Sequence, residues 1–177
     1  MAALLIIGIR VVAPLAILRW PFWGGLLAIA ADASDVVICD ALGGCPLFGG
    51  ERYHTFDKIF DLYYLSLEFY RTRTWAEVLP RRTASFLFWW RVAGVAAFEL
   101  TRVRQIIFFA PNIFENFYLI IAGLKQFAPH RIISNRRTVL RILLIAAAPK
   151  LVQEYIMHFR EFPTWAFIKH GLLRWEG

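Results

Sequence analysis

Residues 22–42 read FWGGLLAIAADASDVVICDAL, an apolar run interrupted by Asp32, Asp35 and Asp40. The run is long enough to cross a bilayer core of roughly 30 Å as a helix, which takes about 20 residues. Its composition therefore predicts a membrane span, while its aspartates demand a reason to be there. Each ionisable side chain at bilayer depth costs about 2.5–3.5 kcal/mol on insertion scales and normally faces the interior of a bundle.

The rest of the chain repeats the pattern. Of 177 residues, 59% are hydrophobic and 16% aromatic, against roughly 45–50% apolar in ordinary soluble domains. The apolar residues come in six runs, at about 2–18, 22–42, 56–71, 83–101, 105–125 and 138–158. The sequence thus predicts an all-α, polytopic integral membrane bundle of six transmembrane helices over residues 1–158. The final segment, 159–177, mixes Trp165, Phe167, Leu172, Leu173 and Trp175 with Lys169, His170 and Arg174, a pattern expected of an amphipathic helix in the interface. Pro111 and Asn112 predict a kink in the fifth span. No internal repeat and no strand alternation is visible, so an ion transporter built on inverted repeats has no support.

The net charge of +7 suits anionic lipid head groups, and no basic-aromatic module argues for nucleic acid. Arg19, Arg71, Arg73, Arg81, Arg82, Lys125, Arg131, Arg136 and Arg137 fall at one end of the expected bundle. Arg52, Arg102, Arg104, Arg160, Lys169 and Arg174 fall at the other. The larger set leans toward the cytoplasm. A cleaved leader is not expected despite the small residues of "AIAAD", because Arg10 interrupts the first apolar run and "MAALLIIG" has no basic residue. Cys39 and Cys45 lack zinc spacing; a disulfide between them suits an oxidising side, although nothing demands it.

Two readings of the aspartates stay open on spacing alone. Asp57 and Asp61 are four apart and share a helix face, as do Asp32 and Asp35, three apart. Like charges so placed repel unless a cation or proton intervenes, so they suit Mg²⁺, Mn²⁺ or Ca²⁺. In the other reading, Asp32 and Asp35 pair with Arg10 of the preceding span, Asp40 caps a turn and Asp57 begins a helix. Glu154 and His158, four apart, suit a hydrogen-bonded pair. Asn112, Glu115 and Asn116 suit a polar contact between helices or part of a substrate groove, the contact being favoured.

Asp35, Asp40, Asp57 and Asp61 together resemble the signature of the CDP-alcohol phosphotransferases, D-x2-D-G-x2-A-R-x8-G-x3-D-x3-D. The closing D-x3-D is matched by Asp57 and Asp61, and "IGIRVVAPLAIL" resembles the family's first helix with its arginine. Ala41 stands at the family's glycine, and Gly44 and Cys45 at its Ala-Arg. The resemblance implies a six-helix membrane fold. It implies Asp35, Asp40, Asp57 and Asp61 as ligands of Mg²⁺ or Mn²⁺, and Asp61 as the catalytic base that takes the acceptor alcohol's proton. The implied function is transfer of a substituted phosphate from a CDP-linked donor to an alcohol in phospholipid synthesis. The alternative is a catalytically inactive relative, an accessory or structural subunit of a larger membrane complex that binds lipid or pigment. Expected partners are membrane lipids, a CDP-linked donor, and complex subunits or a second copy in a homodimer.

Overall fold

The computed structural model describes residues 2–41, 51–103 and 105–155. Among these residues the chain is entirely helical. Helix α1 (Ala2–Val12) tightens into a 3-10 turn over Ala13–Leu18, where Pro14 lacks the N–H that would continue the α-helical ladder. After a reversal at Arg19 and Trp20, α2 (Pro21–Ala41) begins on a proline, whose fixed φ suits the first helical position. Next come α3 (Glu51–Thr72) and α4 (Val78–Thr101), joined by a short turn. A five-residue α5 (Gln105–Phe109) and the longer α6 (Ile113–Phe127) are separated at Ala110–Asn112. The kink expected at Pro111 is a full break. Helix α7 (Arg136–Glu154) starts at Asn135, whose side chain accepts a hydrogen bond from Arg137 N.

Within the described residues the expected spans fall on helices, the fifth broken at Ala110–Asn112, but the charge they carry separates them. Among the described residues two segments are long and apolar enough to cross a membrane, Pro21–Cys39 and Ile106–Phe127. Helices α3 and α4 are 22 and 24 residues long, about 33 and 36 Å at 1.5 Å per residue. They have the length and miss the apolarity because they carry Lys58, Asp61 and Glu68, or Arg91 and Glu99. The C-terminal segment 159–177, Cys45 and His158 lie outside the described residues, as do the side chains of Asp40, Asp57 and Glu154.

Helix α6 is the central post. Its Phe114, Phe117, Tyr118 and Ile121 are fully buried, against Tyr64 and Leu65 of α3, Ala84 and Phe88 of α4, and Val139 and Ile142 of α7. Phe69 and Phe88 stack with centroids 4.3 Å apart, fixing α3 on α4. Two glycines allow backbones to touch. A Cβ on Gly24 would overlap the Ile17 backbone, so α2 lies directly on the 3-10 turn; a Cβ on Gly94 would overlap the Cβ of Ala110, so α4 lies against the break before α6.

The outer surface carries many large apolar side chains, and a few charges are buried within an otherwise apolar core. Leu26 and Leu27 of α2, Phe86, Trp89 and Trp90 of α4, and Leu144 and Ile145 of α7 are exposed, while Arg10, Asp35, Glu68, Arg91 and Glu115 are buried.

Candidate functional site

The charged interior begins with Arg10. Its side chain, 4% exposed, reaches from α1 to both neighbouring helices. Nη1 donates to Asp35 Oδ2 at 2.8 Å, and Nη2 donates to Asp32 Oδ1 and to Asp61 Oδ1, the latter at 3.1 Å. Asp32 and Asp35 share a face of α2 because they are three residues apart. Asp61 comes from the adjoining α3, where Lys58, one turn earlier, stands 3.8 Å from its other oxygen. The guanidinium also lies 5.2 Å from the centroid of the Phe60 ring. Its planar fork explains why one residue can serve three carboxylates.

A second set of charges faces the first across a cavity of about 630 Å³ bounded by α2, α3, α4, α6 and α7. Lys150 of α7 pairs with Glu115 of α6 at 3.0 Å, and Asn112 donates to the same carboxylate oxygen at 2.7 Å. Arg91 of α4 donates to Ala110 O at 2.9 Å, a carbonyl released from helical bonding by the break before α6. Asn116 donates to Ala146 O at 3.0 Å, tying α6 to α7. The polar contact expected around Pro111 is therefore present, and the same residues line the cavity. Asp32, Asp61 and Lys58 line one wall of the cavity; Arg91, Lys150 and Glu115 line the others.

Below this level lies Glu68, fully buried, with neither carboxyl oxygen hydrogen-bonded. Beside it, a Cβ on Gly25 would stand 3.2 Å from Glu68 Oε1. At the opposite end of α2, Cys39 is disulfide-bonded.

Of the four aspartates expected to form the site, Asp35 and Asp61 come together, and the side chains of Asp40 and Asp57 lie outside the described residues. Asp32, left out of that set, joins Asp35 and Asp61 on Arg10. Its three-residue spacing from Asp35 was the available signal, since residues five apart point about 140° from each other on a helix. The expected pairing of Arg10 with Asp32 and Asp35 is present. Among the described residues no group of three acidic, histidine or cysteine side chains is arranged to hold a metal ion. The three described carboxylates turn onto Arg10. No family model, curated protein or solved structure matches this chain.

Proposed function

We propose that this chain is a multi-pass membrane protein on the helical plan of the CDP-alcohol phosphotransferases, with a cavity that receives a polar, phosphate-bearing head group. One observation carries the reading. Three aspartates from two successive helices converge beside a cavity of about 630 Å³, within a bundle whose outer faces are apolar. The pair with the family's D-x2-D spacing is then Asp32 and Asp35, followed by the D-x3-D of Asp57 and Asp61, with an intervening stretch four residues longer than the family's. An insertion of that length in a helix connection is absorbed without moving the helices. On this plan Asp61, at the edge of the cavity, is the base for an acceptor hydroxyl, and Lys150 and Arg91 face the phosphate.

A second reading is favoured by Arg10. A guanidinium bound to all three carboxylates fills with fixed charge the place where the family's chemistry requires an exchangeable cation. The chain is then a non-catalytic relative whose cavity binds without transfer. Orientation agrees with that reading. The larger basic set lies at the Arg19 end, which puts it in the cytoplasm. The disulfide-bonded Cys39 lies at the other end, which suits an oxidising compartment. The aspartates then stand toward the non-cytoplasmic half, opposite to the family's active site.

The deciding experiment incubates the purified full chain with a radiolabelled CDP-linked lipid, an alcohol acceptor, and Mg²⁺ or Mn²⁺. The transferase reading expects CMP release that Asp61→Asn reduces by at least about 10², the scale of a lost general base. Absence of CMP with every acceptor, from protein that still binds the CDP-lipid, establishes the non-catalytic reading.

A further inference from the structure

The end of the bundle opposite Cys39 holds a separate cavity of about 400 Å³, lined by Arg19, Trp20, Arg71, Trp75, Lys125 and Gln126 among others. Its charges are not balanced as those around Arg10 are. Glu77 is the sole acidic residue in segments 71–82 and 125–137, and it is bound to Lys125. Among the described residues neither Arg19 nor Arg71 is paired with an acid, and Arg71 Nε is buried with no hydrogen-bond acceptor. Arg71 and Lys125 sit in the last turns of α3 and α6. The helix dipoles there offer about half a unit of negative charge each, too little to answer the cations gathered around the opening. A buried, unsatisfied guanidinium donor is costly, and the fork geometry of arginine matches a tetrahedral oxyanion with two parallel hydrogen bonds.

Aromatic rings place this cavity at a membrane boundary. Trp20 is 59% exposed beside the opening, as expected for a tryptophan at head-group level. Trp75 is buried, stacked on Tyr118 with centroids 6.1 Å apart, and the Lys125 ammonium lies 6.0 Å from its ring centroid. One side of the cavity is therefore rigid and apolar, and the other supplies two arginines without acids.

We infer that Arg19, Arg71 and Lys125 form a binding site for a phosphate monoester or diester, independent of the aspartate-lined cavity. Anionic phospholipid supplies that group from the bilayer; free phosphate supplies it from water. The lipid source rests on the membrane reading, whereas the phosphate site does not.

The test uses the full chain in an uncharged detergent, titrated separately with phosphatidylglycerol, phosphatidylcholine and inorganic phosphate, with binding read from tryptophan fluorescence and from Tm. Saturable binding is expected, with Arg71→Gln about tenfold weaker, the loss of one charge-assisted hydrogen-bonding group. Arg19→Gln, at an exposed position that does not endanger folding, weakens it severalfold. Arg136→Gln removes a charge from the same end outside the cavity and leaves affinity unchanged. Preference for phosphatidylglycerol over the other two supports the site with lipid as its source; equal saturation by inorganic phosphate supports it with a water-borne source. Equal weakening by Arg136→Gln and Arg19→Gln, or no saturable response to any of the three, overturns the site.

Discussion

Inside the bundle, each described cation has a defined acceptor. Arg10 meets Asp32, Asp35 and Asp61; Lys58 stands beside Asp61; Lys150 meets Glu115; and Arg91 meets a backbone carbonyl. At the Arg19 end, by contrast, basic residues accumulate with Glu77 as the one acid of the connecting segments. The difference follows from what surrounds each region. In the interior no water is at hand to solvate an unmatched charge, so a cation survives only with its partners built in. At the Arg19 end the surface is open, solvent supplies the counter-charge, and the protein can leave it out.

The sharpest way to break this contrast is to remove the cation that serves three acids. Arg10→Ala removes the guanidinium that Asp32, Asp35 and Asp61 share. The expected loss is about 3–5 kcal/mol, the scale for breaking a buried ion pair by deleting one partner. It is read as a fall in Tm of the detergent-solubilised protein. Adding Asp35→Ala to Arg10→Ala recovers part of the loss, because the double variant holds one carboxylate fewer beside Asp32 and Asp61. If the double variant is no more stable than Arg10→Ala, the three carboxylates are not held by a shared charge.

Lys150→Ala is a milder version of the same operation. Glu115 loses the Lys150 ammonium and keeps the Asn112 hydrogen bond. The expected cost is about 1–3 kcal/mol, clearly below that of Arg10→Ala in the same unfolding measurement. An equal cost would place the centre of the interior network at α6 and α7 rather than at Arg10.

The helices themselves were largely legible in the sequence, because apolar runs mark their extent and Pro111 marked the interruption of the fifth. The pairing of Arg10 with Asp32 and Asp35 was legible as one of two readings, since helical spacing puts both aspartates on one face. Asp61 joining the same guanidinium was not. That contact depends on how α1, α2 and α3 pack, and Gly24, which lets α2 lie on the backbone of Ile17, sets part of that packing without any signature of its own. The Arg71 cavity was equally hidden. Its arginines were visible as charge, but Trp75 on Tyr118 brings them around one opening through contacts far apart in sequence.

The smallest expected effect lies at the boundary, in the one acid that the basic end does contain. Burial, the largest single influence on the Glu77 carboxyl, pushes its pKa up. Hydrogen bonding from Lys125 and from the backbone, together with the Lys125 charge, outweighs burial and holds the pKa below the ordinary glutamate value. A group whose folded pKa is depressed contributes stability above its unfolded pKa and loses it as pH falls through the folded one. The contribution of this pair is therefore complete at neutral pH, declines from about pH 4.5 downward, and is gone once the carboxyl is protonated in both states. Glu77→Gln removes that part of the acid-side slope in Tm measured between neutral pH and about pH 3. At neutral pH the variant costs no more than about 1 kcal/mol, as expected of a partly solvated ion pair. A variant as acid-sensitive as the parent would show that the Glu77–Lys125 pair contributes nothing to that slope.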